Sequence, residues 1–209
     1  MFSGKGQINM DSALGKEIFN ICNKEQIRNI FEVGTWNGEG STVCVMNAII
    51  KKPFSMLYSV ESSKSQYQQA VSFWKTKDTC DKLMLLNGVL HKDCVDESVI
   101  KEECRGTTMF VHEWYAGEKA LLDSNNIINI DHVHDIDVII LDGGEYTTMG
   151  DFNVLIKKHP NVIILDDTNV YKCKAIRKQL LEDTEWILYK ENVGDRHGWS
   201  IFRRKTYTI

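Results

Sequence analysis

The sequence predicts an α/β fold, a mostly parallel seven-stranded sheet with helices on both faces and an antiparallel hairpin at the C-terminus. Three observations predict it. Short β-branched or apolar runs alternate with longer segments of helical period along the chain. Most of those runs are apolar throughout, as strands covered on both faces must be. Two final strand-like runs are joined by a stretch rich in turn formers.

Taken in order, the five central strands are Asn29 to Val33, Met56 to Val60, Lys82 to Leu86, Asp137 to Leu141 and Asn161 to Leu165. Helical periodicity covers Ser41 to Ile50, Ser65 to Lys75, Thr148 to Lys157 and Tyr171 to Leu181. The closing hairpin pairs Trp186 to Glu191 with Trp199 to Arg204 around the turn Asn192 to Gly198. The segment from His91 to Asp135 is longer than a simple crossover needs, with about two short helices and a strand around Thr107 to Val111. Insertions of this kind lie over the carboxyl ends of parallel strands, where ligands bind, so it is assigned to substrate recognition.

Length and charge narrow the function. A chain of 209 residues suits one domain, 1–209, able to bury roughly 70% of its unfolded surface. Acidic residues (29) outnumber basic ones (25), for a net charge of −4. That balance lacks the positive field of a nucleic-acid binder, and no nucleic-acid partner is predicted. No apolar run approaches the ~20 residues of a membrane span, and Met1 to Met10 has no signal-like apolar stretch; a cytoplasmic protein is expected. The six cysteines, Cys22, Cys44, Cys80, Cys94, Cys104 and Cys173, show no C-x-x-C spacing and read as reduced thiols. Only Pro53 and Pro160 occur, and no linker or repeat divides the chain.

The chemistry gathers at the strand ends. After the first strand, Gly34-Thr35-Trp36-Asn37-Gly38-Glu39-Gly40-Ser41 forms a glycine-rich turn into a helix, spaced differently from the dinucleotide fingerprint. Alone it is equally a tight strand-to-helix connection. The second strand ends at Glu61, about 20 residues past that turn, where a carboxylate can accept hydrogen bonds from both hydroxyls of a ribose. Asn87-Gly88 ends the third strand at a position suited to an adenine.

Asp142 ends the fourth strand, and Asp166-Asp167 the fifth. Three carboxylates on neighbouring strand ends repel unless a cation or shared proton joins them. A hard ion held by oxygen, magnesium, manganese or calcium, fits such a set better than zinc. The plainer alternative is a helix cap beside a solvated acid.

The joined motifs Glu32-x-Gly34-x-Trp36-x-Gly38-x-Gly40-Ser41, Asn87-Gly88, Leu141-Asp142-Gly143-x-x-Tyr146 and Ile164-Leu165-Asp166-Asp167 resemble the macrocin (TylF-type) sugar O-methyltransferases. Those are Rossmann-like class I enzymes that use S-adenosylmethionine and magnesium. The likeness spans about residues 29 to 181, and the run Arg196 to Phe202 is similar to small glycan methyltransferases of large algal viruses, for which the host cytoplasm is the expected place.

The resemblance implies that Glu32, Gly34, Thr35, Trp36, Gly38, Ser41, Glu61, Ser62, Asn87, Gly88 and Asp142 hold the cofactor. It further implies that Asp142, Asp166 and Asp167 bind Mg²⁺ or Mn²⁺, and that a sugar hydroxyl, on a deoxysugar such as rhamnose or a glycan terminus, receives the methyl group. The family often carries a second aspartate two residues after the first; here that position is Gly144, so the metal site is either looser or completed by Glu145.

On this reading the metal chelates two adjacent hydroxyls, and Asp142 accepts the proton. His112 and His197 are alternative bases. His132 and His134 read as a polar loop rather than ligands, Trp114-Tyr115 as lid or core packing rather than a sugar platform, and Lys172 to Lys178 as a solvated helix face. Two competing readings remain, methylation of a catechol or other phenol, and a cofactor-binding subunit without catalysis in a glycan-assembly complex. A small-molecule or glycan acceptor is the implied partner, and a homo-oligomer is compatible with the sequence.

Overall fold

The computed structural model describes residues 1–103, 105 and 112–208. All seven strands lie in one sheet: β1 (Asn29–Val33), β2 (Met56–Glu61), β3 (Leu83–Asn87), β4 (Ile136–Leu141), β5 (Val162–Asp166), β6 (Trp186–Asn192) and β7 (Trp199–Arg204). Their order is β3-β2-β1-β4-β5-β7-β6. Strands β1 to β5 pair in parallel, and β7 runs antiparallel between β5 and β6. The arrangement is the Rossmann-like sheet with a C-terminal hairpin that the sequence predicts.

The helices are α1 (Ala13–Cys22), α2 (Ser41–Ile49), α3 (Lys64–Lys75), α4 (Glu97–Glu103), α5 (His112–Ser124), α6 (Thr148–Leu155) and α7 (Tyr171–Glu182). Side chains of successive strand residues alternate between the faces of the sheet, and the core divides accordingly. Ile30, Val138, Ile140 and Ile164 pack with Ile18 and Ile21 of α1 and Val43 and Met46 of α2. Phe31, Ile139, Leu141, Ile163 and Leu165 pack on the other face with Phe152 of α6 and Ile176 and Leu180 of α7. Each such side chain, fully removed from water, contributes about 1.5–3 kcal/mol. The single change Ile140→Ala would open a cavity costing ~2–5 kcal/mol.

Helix α1 begins where Ser12 accepts a hydrogen bond from the Gly15 backbone N–H, and buries Leu14, Ile18, Ile21 and Cys22. The sequence reading left this segment unassigned. The insertion provides α4 and α5; the strand predicted around Thr107 to Val111, and Cys104, lie outside the described residues. Among the described residues no helix is long and apolar enough to cross a membrane.

Candidate functional site

The chain leaves β1 toward β2 on one side and enters β4 on the other, so a crevice opens beyond the carboxyl ends of β1 and β4. A cavity of about 920 Å³ occupies it. Gly34 has φ 98°, and a Cβ there would lie 2.0 Å from the carbonyl oxygen of Asp142. Only glycine lets the two strand ends approach so closely. Gly34 N–H donates to Val60 O (3.0 Å), and Asp142 N–H donates to Val33 O (3.0 Å).

Glu61 faces the same crevice. Its two oxygens accept from the backbone N–H groups of Trp36 and Ser63, both at 2.7 Å, and the residue is 6% exposed. Burial pushes its carboxyl up, against the pull of those N–H donors. Carboxylate oxygens have more lone pairs than these two bonds consume, so a diol can still be gripped.

Of the predicted cofactor residues, Gly34, Thr35, Trp36, Ser41, Glu61, Ser62, Gly88 and Asp142 line the cavity. Glu32, Gly38 and Asn87 stand behind it. Glu32 is fully buried beneath the turn, accepting from Thr42 Oγ1 (2.7 Å) and Ser59 Oγ (2.5 Å), while the Thr35 and Ser59 hydroxyls lie 2.6 Å apart. Burial raises the Glu32 pKa. A Cβ on Gly38 would lie 2.8 Å from Trp74 Nε1, which donates to Gly38 O at 3.1 Å. Asn87 Nδ2 donates to Glu61 O at 2.8 Å and so holds the end of β2. These three shape the cradle from outside.

Leu141 pairs with Leu165 in register, so Asp142, just past β4, and Asp166, the last residue of β5, stand side by side at the rim. With Asp167 they bring one carboxylate oxygen each to within 4.8 Å of one another, as the sequence predicts. The compensating cations come from the chain itself. Lys172 Nζ lies 2.9 Å from Asp142 Oδ1 and 2.7 Å from Asp167 Oδ2. An Arg196 guanidinium nitrogen lies 2.6 Å from Asp166 Oδ2 and 3.4 Å from Asp167 Oδ1.

Burial, then the charges of Asp142 and Asp167, push Asp166 up to about 7. Burial also raises Asp142, against the pull of Lys172. Burial alone would lower the Lys172 pKa, but the carboxylates outweigh it and keep the side chain an ammonium.

A hard metal would need these same oxygens at about 2.0–2.6 Å. The oxygen donors suit such an ion in kind and spacing, but the ammonium stands between Asp142 and Asp167, and the guanidinium holds Asp166. As arranged, the residues do not fit a resident metal. The three aspartates thus gather where Mg²⁺ or Mn²⁺ was expected, and the counter-charge seen beside them is that of Lys172 and Arg196. The solvated-face reading is corrected for Lys172, whose side chain is 12% exposed and lines the cavity.

Gly144 also has a physical reason. A Cβ there would lie 2.5 Å from Glu118 Oε2 of α5. Glu118 accepts the N–H groups of Glu145 (2.7 Å) and Tyr146 (2.8 Å), pinning the β4 loop to the insertion; an aspartate at 144 would collide with it and repel it. Glu145 Oε1 accepts the Lys172 backbone N–H at 3.1 Å.

The sequence reading missed His91 and Asp151, a buried pair on the cavity wall. His91 Nε2 lies 3.2 Å from Asp151 Oδ1, and the Asp93 N–H donates to His91 Nδ1 at 3.0 Å. Burial raises Asp151; burial would lower His91, but the Asp151 carboxylate raises it. Residues Lys5 to Ile8 roof the cavity, with Gly6 N–H donating to Glu39 O at 3.1 Å, another contribution absent from the sequence reading.

His197 and Trp114 line the cavity and His112 does not. Tyr115 is buried, its hydroxyl donating to Val95 O at 2.7 Å. His132 and His134 are exposed.

No family model matches the sequence, and no curated protein matches it. Solved structures do. The chain is similar to the O-methyltransferase TomG from Streptomyces achromogenes, involved in tomaymycin synthesis and solved with SAM, at 15% identity over 91% of this chain and 78% of that one, TM-score 0.58. It is similar to the O-methyltransferase from Bacillus cereus solved with SAH, at 16% identity over 96% and 84%, TM-score 0.62. A putative caffeoyl-CoA O-methyltransferase from Staphylococcus aureus matches at 12% identity over 93% and 84%, TM-score 0.61. At these identities the likeness is one of fold, the Rossmann-like seven-stranded sheet described above.

Proposed function

We propose that the chain is an S-adenosylmethionine-dependent O-methyltransferase acting on a sugar hydroxyl. The observation that carries the reading is the convergence of Glu61, the Gly34 turn and Asp142 on one cavity. Glu61 would accept the ribose hydroxyls, the turn from Gly34 to Ser41 would hold the amino-acid end, and Ser62 and Gly88 would flank the adenine. When bound, the cofactor supplies an electrophilic methyl group on sulfur.

The chain's own task is to align an acceptor oxygen and take its proton. Asp142 is the group for that proton, because a carboxyl raised by burial is a stronger base than an exposed one. Asp167, Lys172, Glu118 and His197 surround the space, a polar lining matched to a polyol, and the exposed Trp114 ring offers an apolar face to a sugar. The macrocin-type motifs support a deoxysugar such as rhamnose, free or at a glycan terminus.

The test is transfer of labelled methyl from S-adenosylmethionine to a panel of rhamnosides, nucleotide sugars and catechols. Label on a sugar hydroxyl is expected. Label on catechols alone moves the assignment to phenol methylation, and cofactor binding with no transfer moves it to a non-catalytic subunit.

A further inference from the structure

We propose that Lys172 occupies the seat of a metal ion, so that the methyl transfer runs without a divalent cation and the lysine ammonium takes over the ion's electrostatic role. The inference deepens the proposed O-methyltransferase reading and rests on it. Lys172 is the second residue of α7, and helical side chains lean toward the N-terminus of their helix. That lean carries Nζ back to the rim formed by the ends of β4 and β5.

An ammonium has three N–H donors, and Asp142 and Asp167 receive one each. The third is available on the cavity side, beside the carboxylate that takes the acceptor's proton. The surroundings are consistent with a fixed role. Glu145 Oε1 accepts the Lys172 backbone N–H, Glu118 holds the Glu145 backbone, and Gly144 leaves room for Glu118.

In the step this implies, the acceptor O–H proton passes to Asp142, the oxygen bonds to the methyl carbon, and the carbon–sulfur bond breaks with its electron pair going to sulfur. The sulfonium charge is lost, the thioether leaves neutral, and Asp142 later returns its proton to water. Lys172 holds its charge throughout and donates to the acceptor oxygen while negative charge develops there.

Mn²⁺ binding, followed by the paramagnetic resonance signal of the free ion, tests the inference without any methyl transfer. EDTA-stripped wild-type protein with S-adenosylhomocysteine should show no stoichiometric Mn²⁺ site. Lys172→Ala, which frees the oxygens of Asp142 and Asp167, should bind one Mn²⁺ roughly tenfold tighter than wild type or better, because one positive charge has left the seat. A stoichiometric site in wild type overturns the inference, as does a folded Lys172→Ala with no gain in Mn²⁺ affinity. The wild-type titration decides even where the variant does not fold, and failure to methylate any sugar would sink the functional reading while leaving the Mn²⁺ result intact.

Discussion

Lys172 bridges Asp142 and Asp167, its Nζ 2.9 Å from one carboxylate and 2.7 Å from the other. Two carboxylates on adjacent strand ends are thereby held at a short distance without an external ion. It follows that wild-type turnover should stay within about twofold after EDTA treatment, because no Lewis acid is removed. Loss of turnover in EDTA, restored by Mg²⁺, contradicts this.

Gly34 and Gly117 should respond oppositely to alanine. At Gly34 a methyl group meets Asp142 O at 2.0 Å with φ at 98°, so Gly34→Ala should cost at least ~2 kcal/mol and abolish cofactor binding. Gly117 lies within α5 with open space around it, so Gly117→Ala should stabilise by about 0.5–1 kcal/mol. Thermal melts of the two variants check both signs, and similar shifts in the two would refute the steric argument.

His91 and Asp151 should be energetically coupled. Removing one member of a buried pair leaves the other unsatisfied, at ~3 kcal/mol or more. His91→Ala and Asp151→Ala should each destabilise by that order, and the double variant by less than their sum, with a coupling on the order of 1–2 kcal/mol. Additive denaturant midpoints would mean that the 3.2 Å contact carries no energy.

Asp166 should give the stability a pH dependence. Its folded pKa, about 7, exceeds the ordinary 3.8, so the folded chain holds this proton more tightly than the unfolded chain. The resulting stabilisation is complete below the unfolded pKa and vanishes as pH rises through about 7. Asp166→Asn cannot ionise. Between pH 5 and pH 8 the wild-type melting temperature should therefore fall further than the variant's, by on the order of 2 kcal/mol, or roughly 4–8 °C. Equal slopes in the two proteins would remove Asp166 as the source.

The central strands β1, β4 and β5 were legible because they are buried along almost their whole length, which writes them as mainly apolar runs; predicted and observed ends differ by a residue, as at Glu61 and Asn87. Helix α1 was not. Its apolar stripe is one short series, Leu14, Ile18 and Ile21, with no acidic first turn or basic last turn to frame it.

At the site, the convergence of the three aspartates follows from strand order, which the alternation of elements supplies. The identity of their counter-charge does not. Whether Lys172 faces solvent or the sheet depends on how α7 rotates against β5, and a lysine run looks the same either way. His91 and Asp151 meet only through tertiary packing between the β3 loop and α6, and no spacing in the sequence connects them.

Calorimetric titration of the purified chain with S-adenosylhomocysteine tests the central claim most directly. A single site is predicted, weakened about 10–100-fold in Glu61→Ala, the loss that follows when hydrogen bonds to a charged group are removed. No binding by wild type, or binding indifferent to Glu61→Ala, would contradict the account.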